Sequence, residues 1–179
     1  MIPEHQIRII LADDHMVVRK GLHHVLEAAP DLVVVDEADS GEAVLYLCQK
    51  HKPDVVLMDV QMEGMGGLEA TRLLVLHHPN VRVVGLSTFA APQVVADMVS
   101  AGASGYVLKD ISADELVEAI RRVHAGESVF SPAVSAIAND PDTTNQEPEG
   151  ADTMITMGAQ GFVAQIGLRP EFPLPRTAL

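Results

Sequence analysis

Rare side chains are few in this chain: one cysteine, no tryptophan, two tyrosines and four phenylalanines among 179 residues. With Cys48 alone no intramolecular disulfide can form, which favours a reducing, cytoplasmic home. Aromatics at 3% leave the core to Val, Leu, Ile, Ala and Met, and a hydrophobic content of 47% is ample for one. No apolar run approaches the ~18 residues that a membrane span needs. The start, Met1-Ile-Pro-Glu-His5, lacks the basic and apolar regions of a signal peptide. Basic residues are also scarce. Twelve Lys and Arg face 25 Asp and Glu, a net charge of −13, so whole-surface attraction to nucleic acid or anionic lipid is not expected. There is no internal repeat.

Up to about Phe130 the pattern alternates strand and helix five times. The strands expected are Ile7–Ala12, Leu32–Asp36, Val55–Met58, Val81–Leu86 and Gly105–Leu108. Between them, apolar residues recur at helical spacing: Val17, Leu22, Val25 and Leu26 first, and Leu116, Val117, Ile120 and Val123 last. Ser40 is the expected N-cap of the second helix and Ser112 or Asp114 that of the fifth. Gly102 and Gly126 close the last two helices. Alternating elements of this length imply a parallel sheet with helices on both faces.

Two apolar runs end in acids. Asp13 and Asp14 follow the first strand and Asp59 follows the third. Ligands of such sheets bind in the crevice outside the carboxyl ends of the strands. Three carboxylates there would raise one another's pKa unless a cation joined them. Mg²⁺, held by one or two carboxylates with water and phosphate oxygen, suits that donor set. Ser87 and Lys109 follow the fourth and fifth strands, where a hydroxyl and an ammonium can hold phosphoryl oxygens. Thr88 is an alternative to Ser87. Of the eight histidines, His23-His24 and His77-His78 are adjacent pairs on helices that point apart, so zinc is not expected. His15 reads as a helix-start residue. Gly64, Gly66 and Gly67 lack the lysine and hydroxyl of a P-loop and read as turn-shaping residues.

Four ordered segments, Leu11-Ala-Asp-Asp-His15, Val56-Leu-Met-Asp-Val60, Leu86-Ser-Thr-Phe89 and Gly102-Ala-Ser-Gly-Tyr-Val-Leu-Lys-Asp110, resemble the receiver domain of two-component response regulators. Their wording is most similar to the NarL/FixJ (LuxR-type) subfamily, and the resemblance covers about residues 5–130. It implies a doubly wound, flavodoxin-like α/β fold with a five-stranded sheet of order 2-1-3-4-5. It also implies that Asp59 accepts a phosphoryl group from a histidine kinase. Asp13, Asp14, Asp59 and the backbone carbonyl of Gln61 would hold Mg²⁺. Ser87 and Lys109 would contact the phosphoryl group, and the Tyr106 rotamer would report the switch. The protein would be a phosphoacceptor rather than an enzyme. The face of the fourth helix, fifth strand and fifth helix, with Gln93, Asp97, Arg121 and Arg122, would serve a homodimer or another partner.

Two departures stand out. The loop after Asp59 usually reads Met-Pro-Gly-Met-Asp-Gly in this family, whereas here it is Met62-Glu-Gly-Met-Gly-Gly67. Glu63 replaces proline, which loosens the loop, and Gly66 replaces aspartate. The second departure is the tail. Residues 131–179 open with a polar linker, and Met154–Leu168 has no clear period. Arg169 and Arg176 face six acids there, the wrong sign for phosphate contacts. No helix-turn-helix is legible, so the tail is expected to be poorly ordered, an unrelated segment or the product of a truncated or frame-shifted gene, and DNA would be a partner only through an output domain. Two other functions remain. One is a stand-alone receiver acting through protein contacts or as a phosphate sink. The other is an aspartyl-nucleophile phosphohydrolase, which usually carries Asp-x-Asp on one strand, a spacing absent here.

Overall fold

The computed structural model describes residues 6–130. The expected linker and tail at 131–179 lie outside them. Six parallel strands form one sheet in the order β2-β1-β3-β4-β5-β6. They are β1 (Ile7–Ala12), β2 (Leu32–Ala38), β3 (Val55–Asp59), β4 (Arg82–Ser87), β5 (Gly105–Leu108) and β6 (Val129–Phe130). The first five keep the expected order, and β6 adds a two-residue edge beside β5. So short a run carries no periodic signal. The helices are α1 (Met16–Glu27), α2 (Gly41–His51), α3 (Gly67–His77), α4 (Pro92–Ser100) and α5 (Ala113–His124). None among the described residues is long and apolar enough to cross a membrane.

Strand alternation divides the apolar residues between the two faces. Ile9, Leu11, Val55, Leu57, Val84 and Leu86 pack with Leu26, Leu116 and Ile120. Ile10, Ala12, Val56 and Met58 pack with Val44, Cys48 and Leu74 on the opposite face. Each fully buried Leu, Ile or Val contributes about 1.5–3 kcal/mol. Cys48 belongs to this core, where burial pushes its thiol up to about 12. It therefore stays protonated and packs as an apolar group.

Helix ends follow their residues. Ser40 Oγ accepts from the Ala43 backbone N–H at 3.4 Å. At α5 the cap is Ser112, and Glu115 completes a reciprocal capping box. Gly102 and Gly126 take positive φ just beyond α4 and α5, where a side chain would be strained.

Strand β2 runs two residues past the expected Asp36. Its register against β1 shifts between Ile9 and Ile10, so that Ile9 pairs with Val34 and Ile10 with Asp36. The one-residue bulge reverses which face each later side chain meets. Asp36 accordingly meets His51 of α2, while Glu37 turns to α1. There Arg19, Lys20 and His23 approach Glu37 at 3.0, 3.1 and 2.6 Å. Burial works to raise the Glu37 carboxyl, but the hydrogen bonds from His23, Lys20 and Arg19 outweigh it and hold the group down at about 2.

Glu37 titrates from 4.5 in the open chain to about 2 in the fold. Its stabilisation is therefore complete above 4.5 and is lost as pH falls towards 2. Glu37→Gln should cost about 1–3 kcal/mol at neutral pH. Urea unfolding at pH 7 and pH 3 checks this: the deficit should shrink at pH 3, and equal deficits would contradict it.

Candidate functional site

The carboxyl ends of β1, β3, β4 and β5 deliver the expected residues to one edge of the sheet. Asp13 is fully buried just past β1. Its backbone N–H donates to the Ala38 carbonyl at 3.1 Å, and the Arg19 guanidinium donates to the Asp13 carbonyl. Asp13 Oδ1 accepts from the His15 backbone N–H at 2.8 Å. Asp59 ends β3, is 2% exposed, and accepts from the Gln61 backbone N–H at 3.1 Å. Lys109 follows β5, its backbone N–H donating to the Ser87 carbonyl at 2.8 Å. Its ammonium reaches both acids, 2.7 Å from Asp13 Oδ2 and 3.0 Å from Asp59 Oδ2.

The charges are strongly coupled. Burial raises the Asp59 carboxyl above its ordinary value, and the neighbouring Asp13 adds to that, while Lys109 and the Gln61 N–H pull against it. Burial tends to lower the Lys109 ammonium, but hydrogen bonds to Asp13 and Asp59 prevail and raise it. Lys109 stays charged and Asp59 is held at a cost to the fold.

Asp14 is half-buried. Its Oδ2 accepts from the Glu63 backbone N–H at 3.2 Å. Its Oδ1 lies 2.7 Å from His15 Nδ1 but is out of line for a hydrogen bond, and is buried without a donor. Oxygens of Asp13, Asp14 and Asp59 and a His15 nitrogen all lie within 4.8 Å of one another. An orphaned, buried carboxylate oxygen in an oxygen-rich cluster fits a hard divalent cation such as Mg²⁺. The imidazole is exposed and is the poorer donor for that ion.

Ser87 ends β4, is 4% exposed, and its Oγ accepts from the Phe89 backbone N–H at 3.2 Å. Thr88, the alternative hydroxyl, is exposed. Tyr106 is fully buried beside Val95 and Met98, and its hydroxyl donates to the Phe89 carbonyl at 3.1 Å. Burial pushes that phenol up, partly offset by the Ser87 hydroxyl. The ring already points inward in this structure. Its slot depends on Gly85, the residue paired with Tyr106 across β4 and β5. A Cβ at Gly85 would stand 3.0 Å from Met98 Cε and 3.2 Å from Tyr106 Cδ2. The sequence signal for this was a single glycine inside an apolar strand, which marks close approach.

The sequence alone also missed Arg19 and the Glu63 N–H, because side-chain and loop contacts across elements leave no periodic trace. Arg121, counted above with the face of α4, β5 and α5, instead grips Asp31 through two 2.8 Å hydrogen bonds at the α1–β2 turn. Gln93 bonds Asp97 along α4 at 2.9 Å, and Arg122 bonds Glu127 at 2.7 Å.

Comparison with known proteins gives a consistent result. The family model of the response regulator receiver domain matches residues 9–121. The response regulator GacA of Pseudomonas viridiflava is 44% identical over 129 residues, covering 72% of this chain and 60% of that protein. The transcriptional regulatory protein YxjL of Bacillus subtilis, itself uncharacterised, is 41% identical over 131 residues, covering 73% and 60%. A solved LuxR-family two-component response regulator from Aurantimonas sp. SI85-9A1 superposes with a TM-score of 0.71 at 36% identity. That match covers 74% of this chain and 96% of the solved one. The chain thus spans about 60% of the length of the curated relatives it matches.

Proposed function

Because the chain belongs to the response regulator receiver family, we propose that it is a phosphorylation-dependent switch in which Asp59 accepts a phosphoryl group from a histidine kinase. The observation that carries this reading is the Lys109 ammonium set between Asp13 and Asp59, beside an acid cluster with one orphaned oxygen. An Asp59 carboxylate oxygen attacks phosphorus of a phosphohistidine. The P–N bond breaks as the acyl O–P bond forms, and the imidazole leaves with a proton from solvent. Lys109 remains charged and neutralises equatorial phosphoryl oxygens. Asp13, Asp14, Asp59 and the Gln61 carbonyl would hold Mg²⁺. When bound, that ion supplies charge neutralisation for the transferring group.

Ser87 donates its hydroxyl to the new phosphoryl group. That draws in the β4–α4 loop, to which Tyr106 is already tied through the Phe89 carbonyl. The inward Tyr106 rotamer is thereby favoured, and the face of α4, β5 and α5 presents a changed surface to a second copy or another partner. Control of transcription, as in the relatives named as regulators, would follow through an output domain. A receiver acting by protein contacts alone is the second reading, favoured by the acidic balance of the chain.

Incubation with Mg²⁺ and acetyl phosphate tests the proposal. The expected product is a stoichiometric phosphoprotein with little turnover, and Asp59→Asn should remain unlabelled. Full labelling of Asp59→Asn would overturn the assignment. Rapid multiple turnover without a phosphoprotein would point to a phosphohydrolase instead.

A further inference from the structure

The β3–α3 loop carries an unusual contact. Where the resembling pattern has proline, this chain has Glu63, and its backbone N–H donates to Asp14 Oδ2 at 3.2 Å. A proline at 63 has no hydrogen to give. The rest of the loop is fixed at its far end, where the Gly41 N–H donates to the Met65 carbonyl at 3.1 Å and the Gly67 N–H to the Val60 carbonyl at 3.2 Å. Lys109 binds oxygens of Asp13 and Asp59 but none of Asp14. Apart from the His15 imidazole, 2.7 Å from Oδ1 without a hydrogen bond, the Glu63 N–H is the one group that holds the Asp14 carboxylate among the described residues.

We propose that the backbone N–H of Glu63 is a positioning group for the divalent-cation site: it holds Asp14 Oδ2 so that the buried Oδ1 faces Asp13 and Asp59. The inference rests on the cation-binding reading of this cluster given above. Three consequences follow from the geometry. One oxygen of Asp14 is occupied and the other is left for the ion. The rotamer is paid for in advance by the fold, so binding loses less side-chain entropy. The loop bearing the Gln61 carbonyl is tied to the loop bearing Asp14, so two ligands from different strands are set together. The Glu63 carboxylate is exposed and has no part in this.

Mn²⁺ binding to the full-length protein, followed by electron paramagnetic resonance, and Mg²⁺ competition against it provide the test. Glu63→Ala and Glu63→Gln keep the N–H and should bind within about twofold of wild type. Glu63→Pro should bind about five- to tenfold more weakly, the net worth of one ordinary solvent-accessible hydrogen bond. Equal affinity of Glu63→Pro and wild type would overturn the proposal. So would an equal loss in Glu63→Ala, which would give the role to the carboxylate. If Asp14→Ala binds Mn²⁺ as wild type does, the cation-site reading itself fails, a result distinct from either. Amide hydrogen exchange needs no proline variant. The Glu63 amide should exchange about tenfold more slowly in wild type than in Asp14→Ala, and an unprotected Glu63 amide in wild type would refute the contact.

Discussion

Gly67→Ala should cost the protein about 3 kcal/mol or more, by the overpacking of a site that cannot relax. A Cβ at Gly67 would fall 2.1 Å from the Asp59 carbonyl oxygen and 2.9 Å from both the Asp59 carbonyl carbon and Val60 Cα. Every one of these atoms is backbone, so no side chain can turn aside to make room. The strain is relieved only by moving the start of α3 away from the end of β3, and that displaces the residue proposed to take the phosphoryl group. Urea unfolding gives the stability change, and labelling of whatever folded fraction remains gives the functional one. A variant within about 1 kcal/mol of wild type would contradict this reading of the contact.

Lys109→Ala should have the second largest effect. Lys109 is the ammonium that bridges Asp13 and Asp59, and its side chain is 14% exposed. Removing it leaves buried carboxylates facing one another without a countercharge, for a loss of about 2–4 kcal/mol at pH 7. Two rescues distinguish electrostatics from simple packing. First, millimolar Mg²⁺ should raise the melting temperature of the variant by more than that of wild type, since the ion restores the missing charge as well as binding. Second, acid should narrow the gap. The Asp59 carboxyl is already raised in the fold, and without Lys109 it rises further. A carboxyl raised by folding destabilises when ionised, so the penalty is present above its folded pKa and disappears as pH falls through it. Thermal unfolding at two pH values, with and without Mg²⁺, reads both effects. A deficit insensitive to Mg²⁺ and pH would mean that Lys109 acts by packing alone.

The sequence made the site legible because parallel strands deliver their ends to one edge. Asp13, Asp59, Ser87 and Lys109 are separated by up to 96 positions in the chain and still converge, as the strand-end positions implied. What escaped the sequence was local and irregular. The bulge in β2 breaks the two-residue period at Val35, so the turn of Glu37 towards α1 was invisible to a pattern that assumes an unbroken strand. The six-residue reach of Arg19 back to the Asp13 carbonyl and the donor role of the Glu63 N–H depend on loop conformation, which composition does not encode. Strand β6 is too short to show any period. Arg121 illustrates the opposite error. The face implied by the resemblance grouped it with Arg122, but adjacent residues on a helix diverge by about 100°, and Arg121 bonds Asp31 at the α1–β2 turn instead. Tyr106 was legible as an aromatic on β5. That its ring lies inward here depends on the space left by Gly85, a pairing across strands that only the register reveals.

The measurement that bears most directly on the central claim is to find where the phosphoryl group goes. The full chain would be incubated with acetyl phosphate, with Mg²⁺ or with a chelator, and then reduced with borohydride, which converts an aspartyl phosphate to homoserine. Peptide mass spectrometry then reads the modified residue. The expected product is homoserine at residue 59 alone, formed with Mg²⁺ and absent with the chelator. Modification at another carboxylate, or none at all in a folded protein that binds Mg²⁺, would contradict it.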